Sequence, residues 1–219
     1  MIIMPAQNPL FLSQAALEPQ YNKYFFELIS KTDWLWPKLE MVQDRWCWLH
    51  FHGLAHFFTE IVYSFAFVQA LVSIKDVEPN TVLFHGNNLV FRIVACWDRI
   101  GFLLNERFKL GIKDKNISFR KVVNKLLEKN NFVTRTEEDI IREVKALFEN
   151  DSSIREWRNR YMHQYGEHFA KEFDDGITTE NFLFSREDQE VLENEMVSLL
   201  NQSFPRLKLA MELISGLLV

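Results

Sequence analysis

Residues 51–74 read FHGLAHFFTEIVYSFAFVQALVSI, and the fate of this stretch decides the fold. It is long and apolar enough to raise a membrane span. His52, His56, Glu60 and Gln69 interrupt it, and a glutamate at bilayer depth is expensive. The central helix of a bundle, apolar nearly all round because neighbours cover it, gives the same pattern without that cost. The stretch is therefore expected to be a core helix, with no membrane partner.

The composition points the same way. A chain of 219 residues with 47% hydrophobic content can bury a substantial core within one domain. Seven glycines and six prolines, with Leu, Phe, Glu and Lys plentiful, favour helices over strands. The expected architecture is an all-α helical bundle with long central helices, one domain over residues 1–219 with an N-terminal extension around 1–19. Met1 to Leu12 has no basic region ahead of its apolar residues and carries Pro5 and Pro9, unlike a secretory signal. Cys47 and Cys96 lie in apolar stretches without pair spacing, so they read as buried free thiols of a reducing compartment, with the cytoplasm as the expected location.

A net charge of −5 speaks against indiscriminate coating of nucleic acid, which is chiefly phosphate neutralisation. A local basic region exists nonetheless. Arg107, Lys109, Lys113, Lys115, Arg120, Lys121, Lys125 and Lys129 outnumber Glu106, Asp114 and Glu128; a basic site and a solvated helical face explain it equally well.

Start and stop signals divide the chain. A first helix is expected from about Gln20 to Ser30. Pro37 then opens a long helical region to roughly Ile74, with Gly53 as a kink point. Pro79 and Asn80 punctuate the chain before a helix over Asn87 to Leu110, for which Gly111 is the stop. Ser118 begins a short helix to about Lys129. Thr136, with Asp139, caps the next, which ends near Asn150. The run Ser153, Ile154, Arg155, Glu156 has capping-box spacing, so a helix starts near Ile154. Residues 166–184 lack periodicity and form a long connection, a kind of segment that often serves function. Ser185 with Asp188 caps a last helix to about Gln202, and Pro205 kinks or restarts it toward Val219.

Residues 158–165 read RNRYMHQY, an R-x4-H-x-Y pattern on the helix that starts near Ile154. Helical spacing puts Arg155, Asn159 and His163 on one polar stripe beside an apolar face of Ile154, Trp157, Tyr161 and Tyr165. Arg158 and His163 are about 140° apart around such a helix, so they share a phosphate only through side-chain reach or across an interface. Together they suit cleavage of RNA by its own 2′-hydroxyl. Histidine moves a proton near neutral pH, while arginine grips the phosphate as charge accumulates. Asn159 can orient either group, and no metal or other cofactor is needed. Asp98 falls on the apolar face of Phe91, Ala95 and Phe102, where a lone carboxylate is costly, and Arg158 is one conceivable partner.

These residues resemble the HEPN superfamily, helical-bundle domains whose R-x4-6-H motif lies near the start of a late helix; Arg158, Asn159 and His163 carry the match. The resemblance implies catalytic roles for Arg158, Asn159 and His163, with Arg155, Arg160 and Tyr165 lining an RNA cleft. It also implies a homodimer that brings two motifs together. The full R-x4-H-x-Y form is similar to toxins paired with a small nucleotidyltransferase antitoxin that modifies the tyrosine, here Tyr165. Other HEPN domains only bind RNA, nucleotides or protein, and that alternative stays open, as does a merely structural ion pair for Arg158 with His163 at the surface.

A competing constellation is His52, His56 and Glu60, three potential ligands along one helical face. With His163 or His168 it would make a metal-dependent hydrolase or oxidase; the alternative is a polar stripe pairing with Asp or Arg. His50 and His85 lack neighbours at ligand spacing. Trp34, Trp36, Trp46, Trp48 and Phe57 are assigned to packing rather than to a base-stacking platform.

Overall fold

The computed structural model describes residues 14–75, 77–128, 133–161 and 186–218. Among them every regular element is helical: α1 (Gln14–Ser30), α2 (Leu35–Glu40), α3 (Arg45–Ser73), α4 (Pro79–Arg107), a 3-10 turn (Asp114–Asn116), α5 (Phe119–Glu128), α6 (Arg135–Asn150), α7 (152–161) and α8 (Arg186–Gly216).

The all-α expectation holds. The apolar stretch of 51–74 lies within α3, which by length and composition alone could cross a membrane. Here Phe51, Leu54, Phe58, Ile61, Val62, Phe65 and Leu71 are buried, and α1, α2 and α4 pack against the helix. Each such side chain, fully removed from water, contributes roughly 1.5–3 kcal/mol. α4 occupies the centre, touching α3, α5 and α8, with Leu89, Ile93, Trp97, Ile100 and Leu103 fully buried.

Several boundaries differ from the sequence expectation, each for a physical reason. α1 begins at Gln14 and contains Pro19, so helix reaches into the presumed N-terminal extension. The region from Pro37 to Ile74 is two helices, not one. They part at Asp44, whose Oδ1 accepts from the Trp46 and Cys47 amides at 2.9 Å each and so satisfies two orphan donors of α3; α3 then runs on through Gly53.

α4 starts at Pro79 rather than Asn87, because proline's missing N–H costs nothing in a first helical turn. It ends at Arg107, ahead of Gly111. Lys109 (φ 49°) and Gly111 (φ 65°) both take left-handed backbone, and buried Asn105 steadies the reversal through two bonds with the Ile112 backbone, at 3.1 and 3.3 Å. Thr134 and Glu137, not Thr136 and Asp139, make the capping box of α6. Ser153 caps nothing, since α7 already starts at 152.

Pro205 does not divide α8, which is continuous from Arg186 to Gly216. Phe204 stacks on Phe65 with centroids 4.3 Å apart, and Leu200, Leu207, Ala210, Met211 and Ile214 are fully buried. Burial on both sides of the proline outweighs the one hydrogen bond it forgoes. The basic region is in part structural: Arg107 donates to the Leu217 carbonyl at 3.0 Å and Lys125 to that of Leu110 at 2.7 Å. Lys129 and the connection 166–184 lie outside the described residues.

Two glycines give the packing a test. A Cβ on Gly101 would lie 3.0 Å from the Phe119 backbone, where α4 meets α5, whereas one on Gly53 would meet nothing within 4 Å. In urea denaturation Gly101→Ala is expected to lower stability by roughly 1–3 kcal/mol. Gly53→Ala is expected to raise it by roughly 0.5–1 kcal/mol through helix propensity.

Candidate functional site

The site is built on α7, described over residues 152–161, whose inner face is fixed by contacts with the other helices. Ile154 and Trp157, three residues apart, are buried. The Trp157 indole N–H donates to Asn87 Oδ1 of α4 at 2.8 Å, a hydrogen bond closed off from solvent. One turn further on, Tyr161 meets Phe91 of α4 edge-on at 6.4 Å; burial pushes its phenol up from the usual range, opposed by Asn87.

The joint between α6 and α7 is held by Asp151, whose side chain is fully buried. One carboxylate oxygen accepts from the Trp97 indole N–H of α4 at 3.1 Å. The other lies 3.6 Å from Arg206 Nη1 of α8, and the same Arg206 nitrogen donates to the Asn150 carbonyl at 2.9 Å. Further along α7, Arg160 reaches Glu195 of α8 at 3.0 Å and lies over the Trp157 ring.

Of the sequence-derived site residues, the structure therefore separates several roles. Arg155 is folded back over the joint: its guanidinium sits 3.8 Å from the Phe148 ring centroid and donates to the Phe148 carbonyl at 2.5 Å. Burial lowers its pKa, with the Asp151 carboxylate acting in the opposite sense. Arg160 is engaged with Glu195. Arg158 has no carboxylate partner among the described residues; its Nε and Nη2 both donate to Asn159 Oδ1, at 3.1 and 2.7 Å. A guanidinium gripped at one edge by a neutral amide keeps its full charge and three further N–H donors to offer. His163 and Tyr165 lie outside the described residues.

Asp98 is not where the sequence reading placed it. The side chain is exposed, and its Oδ1 accepts from the Phe119 amide at 3.3 Å, capping the start of α5 rather than pairing with Arg158. A carboxylate at a helix N-terminus has no need of a buried cation.

His52 and His56 do converge on α3, with their Nε2 atoms 3.2 Å apart. Glu60 does not join them; it lies 3.8 Å from Arg92 of α4. Among the described residues no three His, Cys, Asp or Glu side chains gather around a common metal position. The tryptophans divide: Trp97 and Trp157 are core, whereas Trp36, Trp46 and Trp48 are exposed, contrary to the packing role expected for all of the early ones.

Asn87, Asp151 and Glu195, which position α7, escaped the sequence reading. Their partners are 70, 54 and 35 residues away, beyond the reach of any local spacing rule. The family described as Cthe2314-like HEPN matches residues 52–216 of the chain, a span running from α3 to the end of α8. No curated protein and no solved structure matches it.

Removing the anchors of α7 is expected to cost stability in proportion to what each leaves buried. Asp151→Ala strands the buried Trp97 N–H, whereas the partly exposed Arg206 keeps its bond to the Asn150 carbonyl, so a loss of roughly 1–3 kcal/mol is expected in urea denaturation. Trp157→Phe keeps an aromatic ring but loses the fused pyrrole from a buried position together with the bond to Asn87, for at least roughly 1–3 kcal/mol. Arg160→Ala, breaking an exposed pair, should fall under about 1 kcal/mol.

Proposed function

Because the chain belongs to the Cthe2314-like HEPN family, matched from residue 52 to residue 216, we propose that it is an endoribonuclease that cleaves RNA through attack of the 2′-hydroxyl on the adjacent phosphate. The observation that supports this reading is Arg158, a cation on a firmly anchored helix, oriented by Asn159 and without a carboxylate partner among the described residues.

In this reading Arg158 binds a phosphate oxygen as negative charge builds on the phosphorane, a task its planar, always-charged fork suits. His163, five residues on, handles protons. One imidazole takes the 2′-hydroxyl proton as the oxygen attacks phosphorus, and a protonated imidazole delivers a proton to the departing 5′-oxygen. The products are a 2′,3′-cyclic phosphate and a 5′-hydroxyl end. Base and acid roles call for two imidazoles, which a homodimer with two motifs in one cleft supplies. Tyr165 and Arg160 border that cleft, and Tyr165 is the residue that an antitoxin nucleotidyltransferase would modify if the chain is a toxin of that type.

Incubation of the purified full-length chain with mixed RNAs, followed by mapping of product ends, tests the proposal. Cyclic phosphate and 5′-hydroxyl termini are expected. His163→Ala should slow cleavage by about 10²–10⁴-fold and Arg158→Ala by about 10²–10³-fold, both with unchanged circular dichroism. RNA that is bound but never cut would assign the chain to the binding-only HEPN domains, and full activity in either variant would overturn the mechanism.

A further inference from the structure

The ribonuclease reading uses nothing on α3, yet two imidazoles there are arranged as ligands. We propose that His52 and His56 form a two-imidazole clamp for a divalent transition-metal ion of the zinc, nickel or copper class, with water in its remaining coordination positions.

Distance is the first argument. Imidazole nitrogens bind zinc at about 2.0–2.1 Å, so two on one ion lie about 2.9 Å apart at a right angle and about 3.3–3.4 Å apart at the tetrahedral angle. The Nε2 atoms of His52 and His56 are 3.2 Å apart, within that window, so the pair already has the nitrogen spacing that one shared ion requires.

Orientation is the second. The two residues are one helical turn apart on α3, and aromatic neighbours hold each ring. Trp48 stacks on His52, with centroids 4.8 Å apart and planes 18° from parallel. Trp36 of α2 packs its ring against His56 at 5.1 Å and 68°. Rings already restrained by aromatic neighbours lose less freedom on binding.

Chemistry is the third. In the free pair one Nε2–H is shared with the other ring's lone pair. On metal binding that hydrogen leaves Nε2 and the ring carries its hydrogen on Nδ1 instead, so both Nε2 lone pairs face the ion and no electrons are transferred. Neutral nitrogen donors without a carboxylate favour zinc, nickel and copper over magnesium or calcium. Glu60, drawn toward Arg92, adds no oxygen that would change this preference, and His56 is exposed, so an ion has a path in.

The full-length chain, stripped with EDTA, is titrated with nickel by tryptophan fluorescence and with zinc by calorimetry. Saturable binding of one ion is expected, with nickel quenching emission from Trp36 and Trp48 and EDTA restoring it. His52→Ala and His56→Gln should each weaken binding at least about tenfold, the loss of one of two ligands. The glutamine variant preserves side-chain bulk, and circular dichroism verifies the fold of both. His50→Ala, which leaves the pair intact, should bind as the parent does. Absence of saturable binding in the parent, or undiminished affinity in both pair variants, would overturn the proposal.

Discussion

A carboxylate without access to water governs the arrangement of the later helices. Burying one uncompensated costs several kcal/mol, and the cost is met only where good donors converge. Asp151 is compensated in part: the Trp97 indole N–H on α4 donates to one oxygen, while the other accepts no hydrogen bond and has the Arg206 charge of α8 3.6 Å away. The joint between α6 and α7 can therefore occupy one place, between the central helix and the last one. The direction of α7 follows, since Trp157 and Asn87 make the second fixed point and Arg160 with Glu195 the third. Arg158 inherits its position from this frame, at the border between the buried face and solvent.

The frame has stiff walls. α3, α4 and α8 are long helices whose apolar faces interdigitate, with Phe58 and Phe65 of α3 stacked parallel to Phe204 of α8. Close approach is allowed where side chains are absent: at Gly86 a Cβ would collide with Met196 of α8. Such packing explains why a proline inside α8 is tolerated and why an apolar stretch of membrane-spanning length serves as a core helix.

The fold class was legible because it depends on period and composition, which residues 51–74 carry in full. Helix ends were less so. Pro79 looks like an interruption but is an N-terminal residue. The cap of α6, expected at Thr136, is Thr134, whose Glu137 three residues on is the Glu a capping box requires, a signal the sequence itself carries. Asp98 showed the limit of reasoning from one face: its helix suggested burial, and α5, arriving from elsewhere in the chain, provided an amide instead. The motif around Arg158 was readable as a local string. What holds it was not, because Asn87, Asp151 and Glu195 act through contacts between distant parts of the chain. The histidine pair was legible as spacing, while the diversion of Glu60 toward Arg92 depends on a neighbouring helix.

Cys47 and Cys96 are both buried. Burial pushes the Cys47 thiol up to about 11, with the Asp44 carboxylate adding to the effect, and pushes Cys96 higher still. Neither presents appreciable thiolate at neutral pH, and thiolate is the reactive form. The native chain is accordingly a quiet background for spectroscopy: a single cysteine introduced on the outer surface of α7 would take up a spin label or fluorophore selectively, without first deleting either native sulfur.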